Sequence, residues 1–197
     1  MRRARFSFLL LWLVVAVAGC ASVRPPAAGG NVPDPERFTE WSARGRIGIT
    51  AHGEGGSGSF TWRQAAGRTE LALRGPLGAG GLDLVTDGVQ LQVRDASGVA
   101  LDGDAARAEL EQRLGGPLPL VQLRYWILGV PAPAGHGPGA APVQMATGSV
   151  PGFVQDGWVV TLDQSEVFGA WRLPVRLSAT TSGVRIKLVV DDWQLPP

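Results

Sequence analysis

The sequence predicts a mainly β (α+β) fold, in which an antiparallel sheet of about eleven strands curls around two or three helices. Apolar and polar residues alternate along many short segments, as they do in strands with one buried face. Short glycine-containing turns separate these segments, and helical patterns are confined to the middle of the chain. We expect one folded domain over residues 41–197.

The N-terminus has the features of an export signal. Arg2, Arg3 and Arg5 form a basic region, and residues 6–17 are an uncharged apolar run. A run of this length suits a signal peptide and is short for a membrane span. The tetrapeptide Val17-Ala18-Gly19-Cys20 then resembles the bacterial lipobox, in which the cysteine becomes the lipidated first residue. The alternative is an ordinary secretory peptide that contains a cysteine.

Cys20 is the only cysteine of the 197 residues and sets the boundaries at this end of the chain. We predict that residues 1–19 form a lipoprotein signal peptide and that lipid is attached to the Cys20 thiol. Residues 20–40 are rich in proline, glycine and alanine, which predicts a flexible tether, with a short helix over 36–40. In enterobacterial lipoproteins an aspartate after the anchor cysteine retains the protein in the inner membrane. Ala21 occupies that place here, which by this resemblance implies the outer membrane.

The first half of the folded domain is predicted to be a six-stranded meander. Alternate residues from Trp41 to Ile49 are apolar, and a glycine-rich turn is expected over residues 52–58. Asp87-Gly88 predicts a tight hairpin. A short strand over residues 99–101 closes this half. The inward residues of the other strands are Phe60, Trp62, Leu71, Leu73, Leu82, Leu84, Val89, Leu91 and Val93.

Two helices are predicted in the middle of the chain. Asp104 can cap a helix that ends at Leu114, because Gly115 is suited to the left-handed conformation that terminates helices. The second helix is expected over residues 120–128. Its residues are apolar nearly all round, so it must be enclosed by the sheet. A loop rich in proline, glycine and alanine follows at 130–142.

Strands resume over residues 143–148 and 153–155. The pairs Asp156-Gly157 and Ser182-Gly183 predict tight turns between later strands. A looser stretch is expected between Leu162 and Val175. The inward positions of the last strands are Trp158, Val160, Leu162, Val175, Leu177, Ala179, Val184, Ile186, Leu188 and Val190.

Composition and motifs argue against catalysis, metal binding and nucleic-acid binding. His52 and His136 lie in glycine-rich loops without partners at metal-ligand spacing, and no nucleophile or phosphate-binding motif is present. The residues of the only adjacent acidic pair, Asp191 and Asp192, point to opposite faces of a strand. Removing the three signal arginines from a net charge of +1 leaves −2, which gives no attraction to nucleic acid. We predict a protein that is not an enzyme and needs neither metal nor cofactor.

Apolar side chains either fill the core or line a cavity. An all-apolar helix inside a large curled sheet favours a cavity, because few helices leave interior volume unfilled. Apolar cavities accept acyl chains, since each buried methylene contributes about 0.8 kcal/mol. The residues predicted to line an acyl-chain cavity are Ile47, Phe60, Trp62, Leu71, Leu73, Leu82, Leu84, Leu123, Trp126 and Ile127.

Leu77 is the only bulky apolar residue in a loop over residues 74–81. It follows Pro76 and precedes Gly78. Two interpretations are open: the side chain folds back into the core, or it is an exposed finger that touches a membrane.

An ordered set of landmarks along the chain resembles the LolB family of outer-membrane lipoprotein receptors. The departures are the loop 130–142 and the region of residues 165–171. The landmarks are Gly45-Arg46, Phe60-x-Trp62, Leu71-x-Leu73, Pro76-Leu77-Gly78, Leu118-Pro119-Leu120, Trp126-Ile127-Leu128-Gly129-x-Pro131, Gln155-x-Gly157-Trp158, Leu173-Pro174, Arg185-Ile186-Lys187 and Trp193.

The resemblance implies an unclosed β-barrel capped by helices, with an apolar cavity that receives the acyl chains of lipoproteins. It implies the periplasmic carrier LolA as donor and the inner leaflet of the outer membrane as destination. The exposed leucine that the family needs to pass cargo into the membrane matches Leu77. We expect a monomer that is anchored by lipid in the outer membrane and faces the periplasm. The alternative is a structural lipoprotein with a filled core, which scaffolds an envelope complex through an exposed sheet edge.

Overall fold

Strands form most of the structure, a computed structural model that describes residues 29–78, 80–116, 118–133, 143–145 and 150–196. The helices are α1 (Gly103–Leu114) and α2 (Leu120–Trp126). The strands are β1 (Trp41–Ala51), β2 (Glu54–Ala65), β3 (Arg68–Arg74), β4 (Gly81–Thr86), β5 (Leu91–Asp95), β6 (Ala100–Asp102), β7 (Gln144–Met145), β8 (Gly152–Gln155), β9 (Trp158–Phe168), β10 (Trp171–Thr181) and β11 (Val184–Gln194).

The eleven strands of the described residues belong to one antiparallel sheet in the order β6-β5-β4-β3-β2-β1-β11-β10-β9-β8-β7. The two halves of the chain meet where β1 pairs with β11. Because β6 and β7 are the outer strands and do not pair with each other, the barrel is unclosed, which confirms the predicted fold class. No helix in the described part of the chain combines the length and the apolar character needed to cross a membrane.

The predicted alternation of buried and exposed residues is confirmed along β1. Ile47 and Ile49 are buried, whereas Arg46 is exposed and forms an ion pair with Asp191 on β11 at 3.0 Å. The same period of two buries Phe60, Trp62, Leu71, Leu73, Leu82 and Leu84 on the next three strands. The side chains on one face of the sheet therefore form the core.

The connection between β4 and β5 differs from the predicted tight hairpin. Residues 87–90 form a four-residue loop, and Val89 is 86% exposed instead of lying in a strand. The Asp87 carboxylate accepts hydrogen bonds from the amides of Gln90 (2.8 Å) and Val89 (2.9 Å), and these bonds hold its pKa below the ordinary value. A side chain that caps two amides of its own loop favours this longer turn over the two-residue form.

Helix α1 is confirmed, but its predicted cap is wrong. The residue before the helix is Asp102, which makes no capping hydrogen bond with its side chain. Asp104 lies inside the first turn, where its carboxylate forms an ion pair with Arg107 at 2.6 Å. Gly115 ends the helix with a left-handed φ of 76°, as expected. Leu110 is buried and packs the helix onto the sheet.

Two other local predictions are corrected by the structure. Residues 36–40 do not form a helix; instead the amides of Arg37 and Phe38 donate to the Asp34 carbonyl in a single turn. Residues 165–171 are not a loose stretch, because β9 continues to Phe168 and pairs with β10 around a two-residue turn. Most side chains at this end of β9 are exposed, so the apolar alternation that identifies a strand is missing there.

Four predicted segments fall partly or wholly outside the described residues. These are the signal peptide, the part of the tether over residues 20–28 with Cys20, most of the loop 130–142, and the second half of the strand expected over 143–148.

Helix α2 is enclosed, as its largely apolar sequence predicted. Leu123 and Trp126 are at most 1% exposed, and so is Ile127, which follows the helix. The helix ends at Trp126, two residues earlier than predicted, and a turn continues to Gly129. This element fills the middle of the barrel.

Gln155 on β8 fastens α2 to the sheet. Its side-chain oxygen accepts hydrogen bonds from Trp126 Nε1 and from the Ala132 amide, both at 2.9 Å. Its side-chain nitrogen donates to the Ala132 carbonyl at 2.8 Å. All three bonds are buried, so a single side chain satisfies three groups that water cannot reach.

We expect Gln155→Met to lower the free energy of unfolding by about 3–5 kcal/mol, because it leaves three buried polar groups without partners. Urea unfolding measures the change. Gln64→Met is the matched control: Gln64 is 1% exposed, its amide nitrogen has no partner, and its oxygen accepts only the Thr69 hydroxyl. That control should cost about 1 kcal/mol or less. Equal losses for the two variants would contradict this role for Gln155.

Candidate functional site

An unfilled cavity of about 710 Å³ lies at the end of the barrel where β1 ends and β2 begins. Its apolar side chains come from three strands and from the last turn of α1. These apolar residues are Ile47, Ile49, Ala51, Leu73, Leu82 and Leu114. The remaining lining residues are His52, Glu54, Gly55, Gly56, Ser57, Gly58, Arg74, Gly75, Gly80, Gly81, Gln112, Arg113 and Gly115.

Two inward-facing glycines of β2 explain why this end of the barrel is open. Gly58 pairs with Ile47 and Gly56 with Ile49, so both glycines face the interior. A Cβ atom at Gly58 would lie 2.1 Å from the Arg74 carbonyl oxygen, which makes glycine obligatory there. A Cβ atom at Gly56 would meet nothing within 4 Å. The absence of a side chain at Gly56 therefore leaves free volume instead of relieving a clash.

The two arginines at the rim, Arg74 and Arg113, each form an ion pair with a nearby carboxylate. Arg74 forms an ion pair with Asp83 at 2.6 Å and donates to the Leu73 carbonyl at 2.9 Å. Arg113 pairs with Asp95 at 3.2 Å. These guanidinium groups fix the rim without leaving an uncompensated positive charge.

Asp95 accepts hydrogen bonds within the β5–β6 turn in addition to forming the ion pair with Arg113. Its carboxylate accepts hydrogen bonds from the Ser97 hydroxyl and from the amides of Ser97 and Val99. The Ser97 hydroxyl contributes most to holding the pKa of Asp95 below its ordinary value, and Arg113 adds to it. Asp95 is therefore ionised at neutral pH and keeps the end of α1 close to the sheet.

Leu77 lies in the loop that borders the cavity and is fully exposed, at 108% of its reference area. It occupies the 3-10 turn Pro76–Gly78 with a left-handed φ of 57°. Gly75 and Gly80, on either side of this turn, line the cavity. Of the two open interpretations, the structure therefore excludes the one in which Leu77 folds back into the core.

Three of the ten residues predicted to line a cavity do so: Ile47, Leu73 and Leu82. The other seven are buried in the filled part of the interior and do not border this cavity. They are Phe60, Trp62, Leu71, Leu84, Leu123, Trp126 and Ile127. Alternation identifies which side chains point inward, but it does not identify which part of the interior stays empty.

Sequence reasoning missed Ile49, Leu114 and the glycines of the lining. A signal for the glycines was present, because Gly56 and Gly58 continue the inward period of Phe60. Within the described ranges, no group of three or more histidine, cysteine or acidic residues is placed to hold a metal ion.

Comparison with known proteins identifies the family. The family model described as outer membrane lipoprotein LolB matches residues 39–193. The chain belongs to the LolB family. The outer-membrane lipoprotein LolB of Thiobacillus denitrificans is 33% identical in an alignment of 205 positions that covers all of both chains. The LolB protein of Pseudomonas putida strain GB-1 is 32% identical over 195 residues, which cover 92% of each chain.

Membership of the LolB family confirms the resemblance drawn from the ordered landmarks. It places the chain among lipid-anchored proteins of the outer membrane and gives it a general role in lipoprotein localisation. Among solved structures, a LolA superfamily protein from Nitrosomonas europaea aligns with a TM-score of 0.48 and 12% identity. That alignment covers 82% of this chain and 88% of the other.

Proposed function

We propose that this LolB-family chain accepts lipoproteins from a soluble periplasmic carrier of the LolA type and inserts them into the inner leaflet of the outer membrane. The observation that carries the proposal is the exposed position of Leu77 in a loop that borders an unfilled cavity with an apolar floor. The cavity would hold an acyl chain of the cargo, and Leu77 would enter the membrane that receives it.

The volume of the cavity suits an acyl chain. A cavity of about 150 Å³ that binds benzene provides roughly 25 Å³ for each carbon. On that scale 710 Å³ accommodates about 28 carbons, which is one fatty acyl chain and part of a second. The rest of a multiply acylated cargo would lie across the rim or require the cavity to widen.

Transfer through such a cavity needs no cofactor and no nucleotide. The acyl chain leaves one apolar cavity for another and then for the bilayer, so the methylenes stay out of water at each stage. A difference of about 1.4 kcal/mol between successive sites already biases each step tenfold. Burying two more methylene groups, at about 0.8 kcal/mol each, already exceeds that difference.

The lipid proposed on Cys20 keeps the acceptor at the destination. One acyl chain binds a membrane only marginally, whereas two or more hold a protein there stably. A carrier that shields its cargo stays soluble, and an acceptor with its own lipid stays in place. The direction of transfer then follows from where each protein resides.

The decisive experiment is transfer in a purified system. The mature protein with Cys20→Ala is mixed with a carrier–lipoprotein complex and with liposomes, and the cargo that floats with the liposomes is measured. We expect delivery without the anchor, although it will be less efficient because nothing holds the protein at the membrane. No delivery even at high protein concentration would contradict the proposal.

Two sheet edges, β6 and β7, are unpaired among the residues that the structure describes, and they favour a second candidate function. Met145 on β7 is 72% exposed, and an open edge is able to pair with a strand of another protein. A lipoprotein that scaffolds an envelope complex would use this edge and would not need the cavity. Saturable binding of a fluorescent fatty acid favours the receptor, and absence of binding favours the scaffold.

A further inference from the structure

The described part of the predicted tether is docked on the barrel. Residues 29–40, which we call the strap, lie against the start of β10. The Asn31 amide donates to the Ala170 carbonyl at 2.8 Å, and the Arg172 amide donates to the Asn31 carbonyl at 2.9 Å. These two bonds form a parallel bridge between Asn31 and Trp171. The strap is therefore held by backbone pairing and does not hang free.

Side-chain packing adds to this pairing. Phe38 of the strap is 6% exposed, and the edge of its ring meets the ring of Trp171 with 5.4 Å between centroids. Gly30 has a left-handed φ of 91°, and a Cβ atom there would lie 3.1 Å from the Arg172 nitrogen and 3.2 Å from Val167 Cγ2. A Cβ atom at the neighbouring Gly29 would meet nothing within 4 Å. Close docking of the strap therefore requires glycine at position 30 and not at position 29.

The sheet register places the strap and Leu77 towards opposite ends of the barrel. One row of paired residues crosses five strands through Arg176, Val189, Arg46, Ser59 and Arg74. Because four antiparallel pairings separate β10 from β3 in the sheet, these two strands run in the same direction. Trp171 lies five residues before this row on β10, and Leu77 lies three residues after it, beyond the end of β3. Because Asn31 pairs in parallel with Trp171, Gly29 lies still farther from Leu77.

These positions can be compared with the reach of the anchor. Gly29 and Leu77 are separated by about ten residues along the strands, which is about 30 Å. The nine peptide units between Cys20 and Gly29 span at most about 32 Å when fully extended. With the strap docked, the lipid reaches the level of Leu77 only if the tether is stretched almost completely.

We propose that the strap detaches from β10 to let Leu77 enter the membrane that holds the protein's own lipid. Release back to Trp41 leaves 21 peptide units, whose average span of about 25 Å brings Leu77 within easy reach. The docked strap keeps the cavity end away from the membrane and open to a carrier, and the released strap turns it towards the bilayer. This inference rests on the proposed function of Leu77 and on the lipid at Cys20.

Lengthening the tether tests the proposal without altering any docked contact. Eight glycine and serine residues are inserted after Pro26 in the lipidated protein, which is reconstituted into vesicles of phosphatidylethanolamine and phosphatidylglycerol. We expect delivery of cargo into those vesicles to become roughly tenfold faster, because a longer tether raises the effective concentration of Leu77 at the membrane. The same insertion in the Cys20→Ala protein should leave delivery unchanged.

The pair Gly30→Val and Gly29→Val tests the strap itself. Gly30→Val should undock the strap, exposing the Arg172 amide to hydrogen exchange and speeding delivery by a similar factor. Gly29→Val should change neither quantity. Combining the insertion with Gly30→Val should add nothing further, since both remove the same restriction.

An unchanged delivery rate with the longer tether would overturn the proposal, because Leu77 would then reach the membrane with the strap docked. That result leaves the proposed function intact as long as the unlipidated wild-type protein still delivers cargo. Failure of the unlipidated protein would overturn the proposed function and the strap proposal with it.

Discussion

Gly56→Phe is expected to weaken saturable binding of acyl chains while leaving the protein folded. A side chain at this position points into the cavity, where a Cβ atom meets nothing within 4 Å. A phenyl ring there displaces roughly six carbons of a bound chain, each contributing about 0.8 kcal/mol. We therefore expect at least a hundredfold weaker binding, equivalent to about 2.7 kcal/mol, in a titration with a fluorescent fatty acid.

Gly48→Phe is the matched control for Gly56→Phe. Gly48 lies on β1 beside Ile49, faces outward next to Lys187, and a Cβ atom there also meets nothing within 4 Å. The control should bind the fatty acid like the wild type, and neither variant should lower the midpoint of urea unfolding appreciably. If Gly56→Phe binds as well as Gly48→Phe, the acyl chain does not occupy this cavity.

Much of the sheet could be predicted because its physical cause is local. The alternation along β1 and the turns at Asp156-Gly157 and Ser182-Gly183 are properties of adjacent residues. Enclosure of α2 was also predictable, since a short helix that is apolar on all sides has no surface suited to water. Position in the barrel was not needed for any of these predictions.

Predictions failed where a residue's partner was distant or unexpected. The Asp87 carboxylate forms a longer loop by accepting two amides, and this moves Val89 out of the strand that its apolar side chain suggests. Residues 165–171 belong to a hairpin whose exposed side chains hide it from a search for alternation. Docking of the strap depends on Trp171, which lies more than a hundred residues later in the chain.

The sequence predicted an apolar cavity but not its position in the barrel. Residues 52–58 read as a glycine-rich turn, whereas β2 already begins at Glu54. Gly56 and Gly58 are therefore strand residues that face inward, and they open the interior at one end. A glycine in a strand has no side chain and so leaves free volume. The glycine-rich composition that suggests a loop therefore forms part of the cavity wall.

Leu77→Glu is expected to retain the binding of cargo and to lose its delivery. Leu77 makes no contribution to the core, because it is fully exposed in the structure. Unfolding and fatty-acid binding should therefore match the wild type. Moving a carboxylate instead of an apolar side chain into the bilayer costs about 2–3 kcal/mol, which predicts a roughly 30–150-fold slower transfer to liposomes.

Val89→Glu is the matched control for this substitution. Val89 is also highly exposed, but it lies in the loop between β4 and β5, at the end of β4 opposite Leu77. A general effect of added negative charge near anionic lipid would slow both variants equally, whereas insertion of Leu77 predicts a defect in Leu77→Glu alone. Leu77→Phe, which keeps an apolar side chain at the rim, should restore delivery. Equal defects in Leu77→Glu and Val89→Glu would show that Leu77 does not enter the membrane.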